Sequence, residues 1–349
     1  MAAVARCAPG WRGRLEVVVV DEVARRNRRR IAVVTLASVL NHWLSIGVIL
    51  AIPAVFLAYS GEDGQDSSLS PRRVLVVTIM TSATLALVWV STQTGAVRRR
   101  VVRAVGGVEV GAAEAPRVHN LMAELAIATG TPPVTLALVD DAAPNAMAVG
   151  RRPRETTIVV TSGLVDKLSR DQLEAVLAVE MCAIRRFDTA LRSVAMASTA
   201  GAFQIHNMLR GDLRPGRSWY ERWDWSAWLG VFLTWPTMLF AALIRRSAQR
   251  SADFGADEMA IAITRHPEAL LSALRTLQGD HTVLAAPRHP VALAPWIPSI
   301  GPSWIKPIPE EEIYIPHEVR ALISRPDLQA RLERLTDIVG THSPQPAPG

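Results

Sequence analysis

The residues with the clearest chemical potential lie in the stretch Asp171–Asp188, which reads DQLEAVLAVEMCAIRRFD. One carboxylate, Glu180, stands in the middle of an apolar run with helical spacing. A carboxylate in such a place can act as a general base toward a water molecule. It can also be a buried charge that needs a partner or a proton. Arg185, Arg186 and Arg250 are candidate partners, and we favour the structural interpretation because buried carboxylates are normally paired.

The positions around Glu180 have the spacing of a zinc-binding helix. Such a helix places two histidines four residues apart on one face, with a glutamate directly after the first. The imidazoles then bind one ion while the glutamate acts on its water. Here Val179 and Ala183 occupy the ligand positions, and neither side chain can donate electrons to a metal. Cys182 is turned about 100° around the helix from Ala183 and cannot replace it, so we interpret Cys182 as a small buried hydrophobe.

The composition indicates a membrane protein. Of 349 residues, 49% are hydrophobic, and the mean hydropathy of +0.19 is high for a soluble protein. The net charge is +6, and the arginines are concentrated in runs such as Arg25–Arg30 and Arg98–Arg103. Because these runs border apolar segments, the positive-inside rule explains them, and we expect no nucleic-acid partner. The two cysteines, Cys7 and Cys182, are far apart in sequence and indicate no disulfide framework.

Apolar segments of spanning length occur in three places, Ile31–Tyr59, Val74–Thr94 and Ser226–Ile244. Ile31–Tyr59 and Val74–Thr94 each reach the ~20 residues that a transmembrane helix needs, and the loop between them is acidic. Arginine runs at both ends of this hairpin predict that its ends face the cytoplasm and its loop the outside. A second hairpin is expected within Ser193–Ile244, although its charges do not fix an orientation.

Between these hairpins the pattern predicts a small α+β unit. Pro116–Gly130 has apolar residues at helical spacing and ends in glycine, which predicts a helix. Val134–Val139 alternates as a strand does, and Asn145–Gly150 with Thr157–Thr161 predicts a hairpin. Ser169 and Asp171 are candidate caps for the central helix.

Several of these segments, in order, resemble the HtpX-like family, membrane-embedded zinc endopeptidases related to the CAAX prenyl proteases. PRVHNLMAELAIATGTPP and APNAMAVGRRP look like the family's helix and its PNAFAxG strand, and TSGLVDKLSRDQLEAVLA looks like its TxGLLxxLxxdElxaVLAHE. The central helix is similar to the family's HExxHxxxxD at Glu180 and Asp188. RSADFGAD resembles SRxxExxAD, matching at Arg250 and Asp257 and placing Asp253 on the third zinc ligand, a glutamate. SRPDLQARLERL resembles the closing HPxxxxRIxxL.

The chain departs from this pattern at the metal ligands. Val179 and Ala183 replace both histidines, and Asp253 is one methylene shorter than the family's glutamate. Arg325 stands where the family has histidine. A zinc site needs three protein donors and an open position, so we expect no metal at the vestigial ligand positions Val179, Ala183 and Asp253.

The resemblance implies a fold class and a location. The expected fold is α+β and mainly helical, with a zincin-type metallopeptidase domain combined with transmembrane helical hairpins. It implies a multi-pass protein of the plasma membrane with its peptidase-like domain in the cytoplasm. We expect a cytoplasmic arm (1–30), a membrane hairpin (31–97), the first part of the peptidase-like domain (98–192), a second membrane hairpin (193–246), the second part of the domain (247–340) and a disordered tail (341–349).

The resemblance also implies a substrate groove. In the family, the strand around the PNA motif pairs with extended substrate by β-strand addition, which needs backbone rather than metal. Asn145, Ala146 and Met147 are therefore candidate substrate-binding residues, with an ordinary edge strand as the alternative. Asp188, Arg250 and Asp257 are expected to be structural acids and their partners.

We expect a catalytically degenerate homologue, a pseudopeptidase in which Glu180 is a vestigial general base. Its expected partners are the lipid bilayer and peptide or membrane-protein segments. One alternative is an active metalloendopeptidase that cleaves membrane or misfolded proteins in protein quality control. It would hold zinc in an unorthodox site of Glu180, Cys182, Asp253 and a remote histidine. A third interpretation, a structural membrane scaffold, follows if Leu284–Pro316 closes the groove.

Overall fold

The computed structural model describes the backbone of residues 9–59, 70–210, 254–282 and 328–342. Within these ranges the chain is mostly helical and contains one small sheet, as the α+β prediction requires. The helices are α1 (Pro9–Tyr59), α2 (Pro71–Ala104), α3 (Pro116–Thr129), α4 (Ser162–Lys167), α5 (Arg170–Arg185), α6 (Asp188–Arg210), α7 (Gly255–Thr264), α8 (Pro267–Gly279) and α9 (Leu328–His342). The strands are β1 (Val108–Glu109), β2 (Thr135–Val139), β3 (Ala146–Val149) and β4 (Thr157–Thr161).

The sheet has four strands in the order β1-β2-β4-β3, so β3 forms one edge. β2 and β4 are parallel, whereas β1 and β3 run antiparallel to their neighbours. In the pairing of β3 with β4, Ala146 lies opposite Val160 and Val149 lies opposite Thr157. The predicted hairpin is therefore confirmed, with a short 3₁₀ turn at Pro153–Glu155 within its loop.

Helices cover both faces of the sheet. Alternate side chains of a strand point to opposite faces, and those of β3 divide accordingly. Ala146 and Ala148 belong to a core that includes side chains of α3, α5, α7, α8 and α9. Met147 and Val149 belong to a second core formed with α1, α2 and α6. The sheet thus separates the candidate active-site helix α5 from the long helices.

Among the described residues, two helices are long and apolar enough to cross a membrane, by length and composition. These are the Val20–Phe56 part of α1 and the whole of α2. They pack antiparallel, and Trp43 Nε1 donates to Ser82 Oγ at 3.0 Å. Many of their large apolar side chains, such as Phe56 and Val77, are exposed, which is the surface that lipid tails would cover. These features support membrane association.

The helices run across four of the predicted boundaries. α1 continues without a break through residues 30 and 31, where we placed the end of the arm and the start of the hairpin. Likewise α2 extends past residue 97 and includes the whole basic run Arg98–Arg103. Of the predicted second hairpin, α6 covers the first part, and residues 211–246 lie outside the described residues. α9 continues to His342, two residues into the predicted tail.

Candidate active site

The helix that carries Glu180 is defined at both ends by local interactions. Ser169 caps it, because its Oγ accepts a hydrogen bond from the Gln172 amide while Gln172 Oε1 accepts from the Ser169 amide. This reciprocal capping box satisfies two otherwise unpaired amides. The helix ends at Arg185, and Phe187 then adopts a left-handed backbone conformation, φ 63°. Most of α5 between these ends is buried, so its side chains face the protein interior.

The ligand positions on α5 are closed by aliphatic side chains. Val179 and Ala183 are each 1% exposed, and Val179 packs within the core between the sheet and the C-terminal helices. Asp253 and Arg250 lie outside the described residues. Within the described ranges, no group of three or more histidine, cysteine or acidic side chains could hold a metal ion. The donors that α5 presents therefore do not fit zinc.

Glu180 is fully buried, and it lies within electrostatic reach of a buried arginine, Arg331 of α9. Arg331 Nε and Nη2 donate to Asp257 Oδ2 and Oδ1, both at 2.8 Å. The side chains of Arg331 and Asp257 are only 2% and 8% exposed. Burial alone would lower the pKa of Arg331, but the charge and hydrogen bonds of Asp257 and the charge of Glu180 raise it above its usual value. The guanidinium of Arg331 thus stays charged, bound to Asp257 and within electrostatic reach of Glu180.

Arg331 was not among the partners that we predicted for Glu180. Its signal in the sequence was its match to the arginine of the family's HPxxxxRIxxL motif. Of the partners that we named, Arg185 lies 3.7 Å from Asp21, and Arg186 Nε donates to Asp188 Oδ2 at 2.9 Å.

Asp188, which matches the last position of the family's helix motif, connects α5 to the N-terminal helix. Asn27 Nδ2 of α1 donates to Asp188 Oδ1 at 2.6 Å and to the Arg186 carbonyl at 2.9 Å. The guanidinium of Arg186 lies against Gly255, where the Cβ of any other residue would overlap it. The turn after α5 is therefore fixed to both α1 and the start of α7.

Cys182 has the surroundings of an inert thiol. It is buried and free. Burial raises the pKa of Cys182 to about 12, and the charge of Asp257 adds to this effect while that of Arg186 opposes it. The thiol is protonated at neutral pH, as expected for a small buried hydrophobe.

The candidate substrate strand lies beside this helix but is covered. Asn145, Ala146 and Met147 are all buried. The Thr161 amide donates to the Asn145 carbonyl. In an antiparallel pair every second residue bonds to the neighbouring strand, so the peptide groups of Ala146 and Ala148 point away from β4, toward the edge of the sheet. Both residues are nevertheless buried. Farther along the same edge, the Gly150 amide donates to Ser193 Oγ of α6 at 2.9 Å. The edge is not open to solvent in this structure.

Comparison with known proteins agrees with these features. The sequence profile of peptidase family M48 matches residues 112–339, which include α3, the sheet strands β2 to β4, α5 and Arg331. The chain belongs to peptidase family M48. This confirms the HtpX-like resemblance, because relatives of this M48 chain carry that name.

Three relatives show the extent of the similarity. A Protease HtpX homolog of Limosilactobacillus fermentum is 27% identical over 265 residues, covering 74% of this chain and 85% of the relative. Protease HtpX homolog 2 of Methanosarcina mazei is 32% identical over 183 residues, covering 52% of this chain and 61% of the relative. A Protease HtpX homolog of Pyrococcus furiosus is 32% identical over 165 residues, covering 47% and 57%. The last two matches span less than two thirds of the relatives, and no solved structure matches this M48 chain.

Proposed function

We propose that this chain is an HtpX-like M48 protein that has lost zinc-dependent peptidase activity. One observation carries the proposal: aliphatic side chains, each 1% exposed, occupy both metal-ligand positions of α5. Activation of water at neutral pH by a zincin requires the metal, and the metal requires three protein donors. Glu180 alone, buried near Arg331, has the surroundings of a structural charge rather than of a general base.

The active alternative depends on Cys182 as a replacement ligand. A thiol binds zinc as the thiolate, and the burial that raises the pKa of Cys182 to about 12 opposes that form. The position of Cys182 on the helix also differs from that of Ala183 by about 100°. Both points favour the inactive protein.

The direct test is metal analysis of detergent-purified protein together with casein cleavage, with and without chelator. We expect zinc well below one ion per chain and no chelator-sensitive cleavage. The variant Glu180→Gln is the matched control, because it removes the candidate base while changing no ligand position. Stoichiometric zinc, or cleavage that both chelator and Glu180→Gln abolish, would contradict the proposal.

We further propose that the protein binds extended peptide or membrane-protein segments along β3. The peptide groups of Ala146 and Ala148 face the edge of the sheet, which is the geometry that β-strand addition needs. The Ala146 amide donates to Asn145 Oδ1 at 3.0 Å, and a bound strand would have to replace this bond. Because the edge is covered, binding requires that the covering contact opens. The covered edge also favours the second candidate, a structural scaffold whose groove stays closed.

Hydrogen exchange separates these two functions. The amide of Ala148 faces the edge, whereas that of Met147 pairs with β4 and provides an internal control. Unfolded casein in excess should slow exchange at Ala148 and leave Met147 unchanged if peptide pairs with β3. Equal exchange at Ala148 with and without casein would favour the scaffold.

The membrane topology completes the proposal. We propose that α1 and α2 cross the bilayer as a hairpin, that residues 193–246 add a second hairpin, and that the peptidase-like domain faces the cytoplasm. The arginine runs at the domain end of α1 and α2 support this orientation. Alkaline phosphatase fused after residue 349 should be inactive, and the same enzyme inserted between residues 60 and 69 should be active. The reverse pattern would refute the orientation.

A further inference from the structure

Arginines from two helices gather at the level where the long hairpin meets the domain. We call this group the basic collar. It contains nine arginines and, in the flanking segments 21–30 and 98–109, only three carboxylates. The members of the basic collar are Arg25, Arg26, Arg28, Arg29 and Arg30 of α1 and Arg98, Arg99, Arg100 and Arg103 of α2.

The antiparallel packing of α1 and α2 brings the two runs to the same height. The backbone of Gly47 faces Ser82, since a Cβ on Gly47 would lie 3.7 Å from Ser82 Oγ. Arg29 lies eighteen residues before Gly47, and Arg100 lies eighteen residues after Ser82. Because both helices rise equally per residue, Arg29 and Arg100 lie at one level.

The basic collar borders the apolar surface of the hairpin. Val33, one turn from Arg29, is 64% exposed, and exposed apolar side chains continue from it along α1 to Phe56. On α2, the next arginine toward the far end is Arg73, and the helical rise between Arg73 and Arg98 is about 38 Å. This length covers the ~30 Å hydrocarbon core and reaches the headgroup layers on both sides.

Some collar arginines are engaged within the protein. Arg28 stacks on Phe187 at 4.3 Å from the ring centroid, which, with the Asn27 bonds, holds α1 against the turn after α5. Arg98 pairs with Glu109 at 2.6 Å. These contacts fix the position of the basic collar relative to the domain.

Three collar arginines have a different environment. Arg29, Arg99 and Arg103 are exposed, and among the described residues none of them has a hydrogen bond, ion pair or ring contact. Arg99 and Arg103 are four residues apart and therefore lie on the same face of α2. Three guanidinium groups without protein partners, at the level of the lipid headgroups, leave strong donors for an external anion.

We propose that the basic collar is a binding site for the phosphate groups of anionic phospholipids, with Arg29, Arg99 and Arg103 as its principal contacts. Guanidinium groups bind phosphate through paired N–H donors, which favours arginine over lysine at such a site. Anionic lipids are concentrated in the cytoplasmic leaflet, where basic segments beside a span interact with them. Because Arg28 and Asn27 fasten α1 to the domain, bound headgroups would hold the domain against the membrane surface.

Native mass spectrometry of the full chain tests this proposal. The protein is purified in detergent and exposed to equimolar phosphatidylglycerol and phosphatidylcholine, and the ratio of the two bound lipids is measured. The test variant is Arg99→Gln/Arg103→Gln. The control variant is Arg265→Gln/Arg275→Gln. Arg265 follows the end of α7 and Arg275 lies in α8, on the other side of the sheet from α1 and α2. Both arginines are exposed and have no partner among the described residues.

We expect the parent and the control variant to bind phosphatidylglycerol preferentially. Each basic residue near a membrane surface contributes about 1 kcal/mol, so the test variant should lose roughly fivefold in preference per arginine, or about 25-fold in total. An unchanged ratio in the test variant, or an equal loss in the control variant, overturns the proposal. Displacement of the lipid by millimolar inorganic phosphate would assign the site to free anions and also overturn it.

This inference rests on the proposed insertion of α1 and α2 into the membrane. Carbonate extraction of membranes tests insertion separately, since an inserted chain stays in the membrane fraction. Release of the parent would contradict the proposed topology. Retention of both variants with an unchanged lipid ratio would contradict the lipid site alone.

Discussion

Replacing Arg331 by methionine should destabilise the domain strongly. Methionine keeps an unbranched side chain of similar length but removes the charge and both hydrogen bonds to Asp257. Asp257 would then be buried without its guanidinium partner, and Glu180 would lose a nearby positive charge. Breaking a buried pair in this way costs about 3–5 kcal/mol, because a charge is left without compensation.

The size of this effect can be converted into a melting temperature. For a domain of this size, 1 kcal/mol shifts Tm by roughly 2–4 °C, so Arg331→Met should lower Tm by about 6–20 °C. Thermal unfolding in detergent, followed by circular dichroism, measures the shift. Adding Asp257→Leu to the variant should recover part of the loss, because one uncompensated carboxylate is removed at the same time.

Arg334→Met is the matched control on the same helix. Arg334 pairs with Glu258, but the two side chains are 51% and 48% exposed. Solvent screens such a pair, and its loss should cost about 1 kcal/mol or less. Equal Tm shifts for Arg331→Met and Arg334→Met would refute the buried charge cluster as a determinant of stability.

Three further predictions concern the thiol, pH and the lost ligands. In a Cys7→Ser background, Cys182 should react with iodoacetamide about a thousandfold more slowly than a free thiol at pH 8. One label per chain should be reached only after the protein is unfolded. Fast labelling of the folded protein would contradict the burial of Cys182. Burial raises the pKa of Asp280, but hydrogen bonds from Lys167 and Thr282 outweigh this and lower it overall. Its stabilising effect is therefore complete at neutral pH and decreases as the pH falls below about 4, so Asp280→Asn should lower Tm more at pH 7 than at pH 2. An equal Tm difference at both pH values would argue against this. In the presence of chelator, the variant Val179→His/Ala183→His should have a lower Tm than the parent, since overpacking costs about 1–3 kcal/mol per site. Zinc at 100 times its Kd should then raise the free energy of unfolding of this variant by about 2.7 kcal/mol and leave the parent unchanged.

Local features of the fold were predictable from the sequence. Ser169 three residues before Gln172 predicts an N-cap, and the structure has a full capping box there. Gly130 ends α3 in the left-handed conformation that favours glycine, φ 64°. The hairpin of β3 and β4 also follows from two short segments joined by a turn. In each case the interacting groups are close in sequence, so a pattern of a few residues contains the information.

The charge cluster of the candidate site was only partly predictable. Arg331 and Asp257 are 74 residues apart, and Asn27 and Asp188 are 161 apart. Nothing in the spacing of such residues indicates that they meet. The resemblance to the family's closing motif singled out Arg331 but did not indicate that it contacts Asp257. For the same reason our candidate partners for Glu180 did not include Arg331, whose charge reaches Glu180 from α9.

The replacement of both histidines by Val179 and Ala183 explains how the helix can stay folded without a metal. Two imidazoles at these buried positions would need an ion or hydrogen-bond partners, because unpaired polar groups in a core cost free energy. Valine and alanine need neither, and their burial adds to the core. The remaining buried acids, Glu180 and Asp257, have a cation in Arg331. The charges of these acids are thus compensated by a side chain of the protein itself, although Arg331 Nη1 is buried without a hydrogen-bond partner among the described residues. This compensation is consistent with the proposed loss of zinc, which leaves β3 and the basic collar as the proposed binding surfaces.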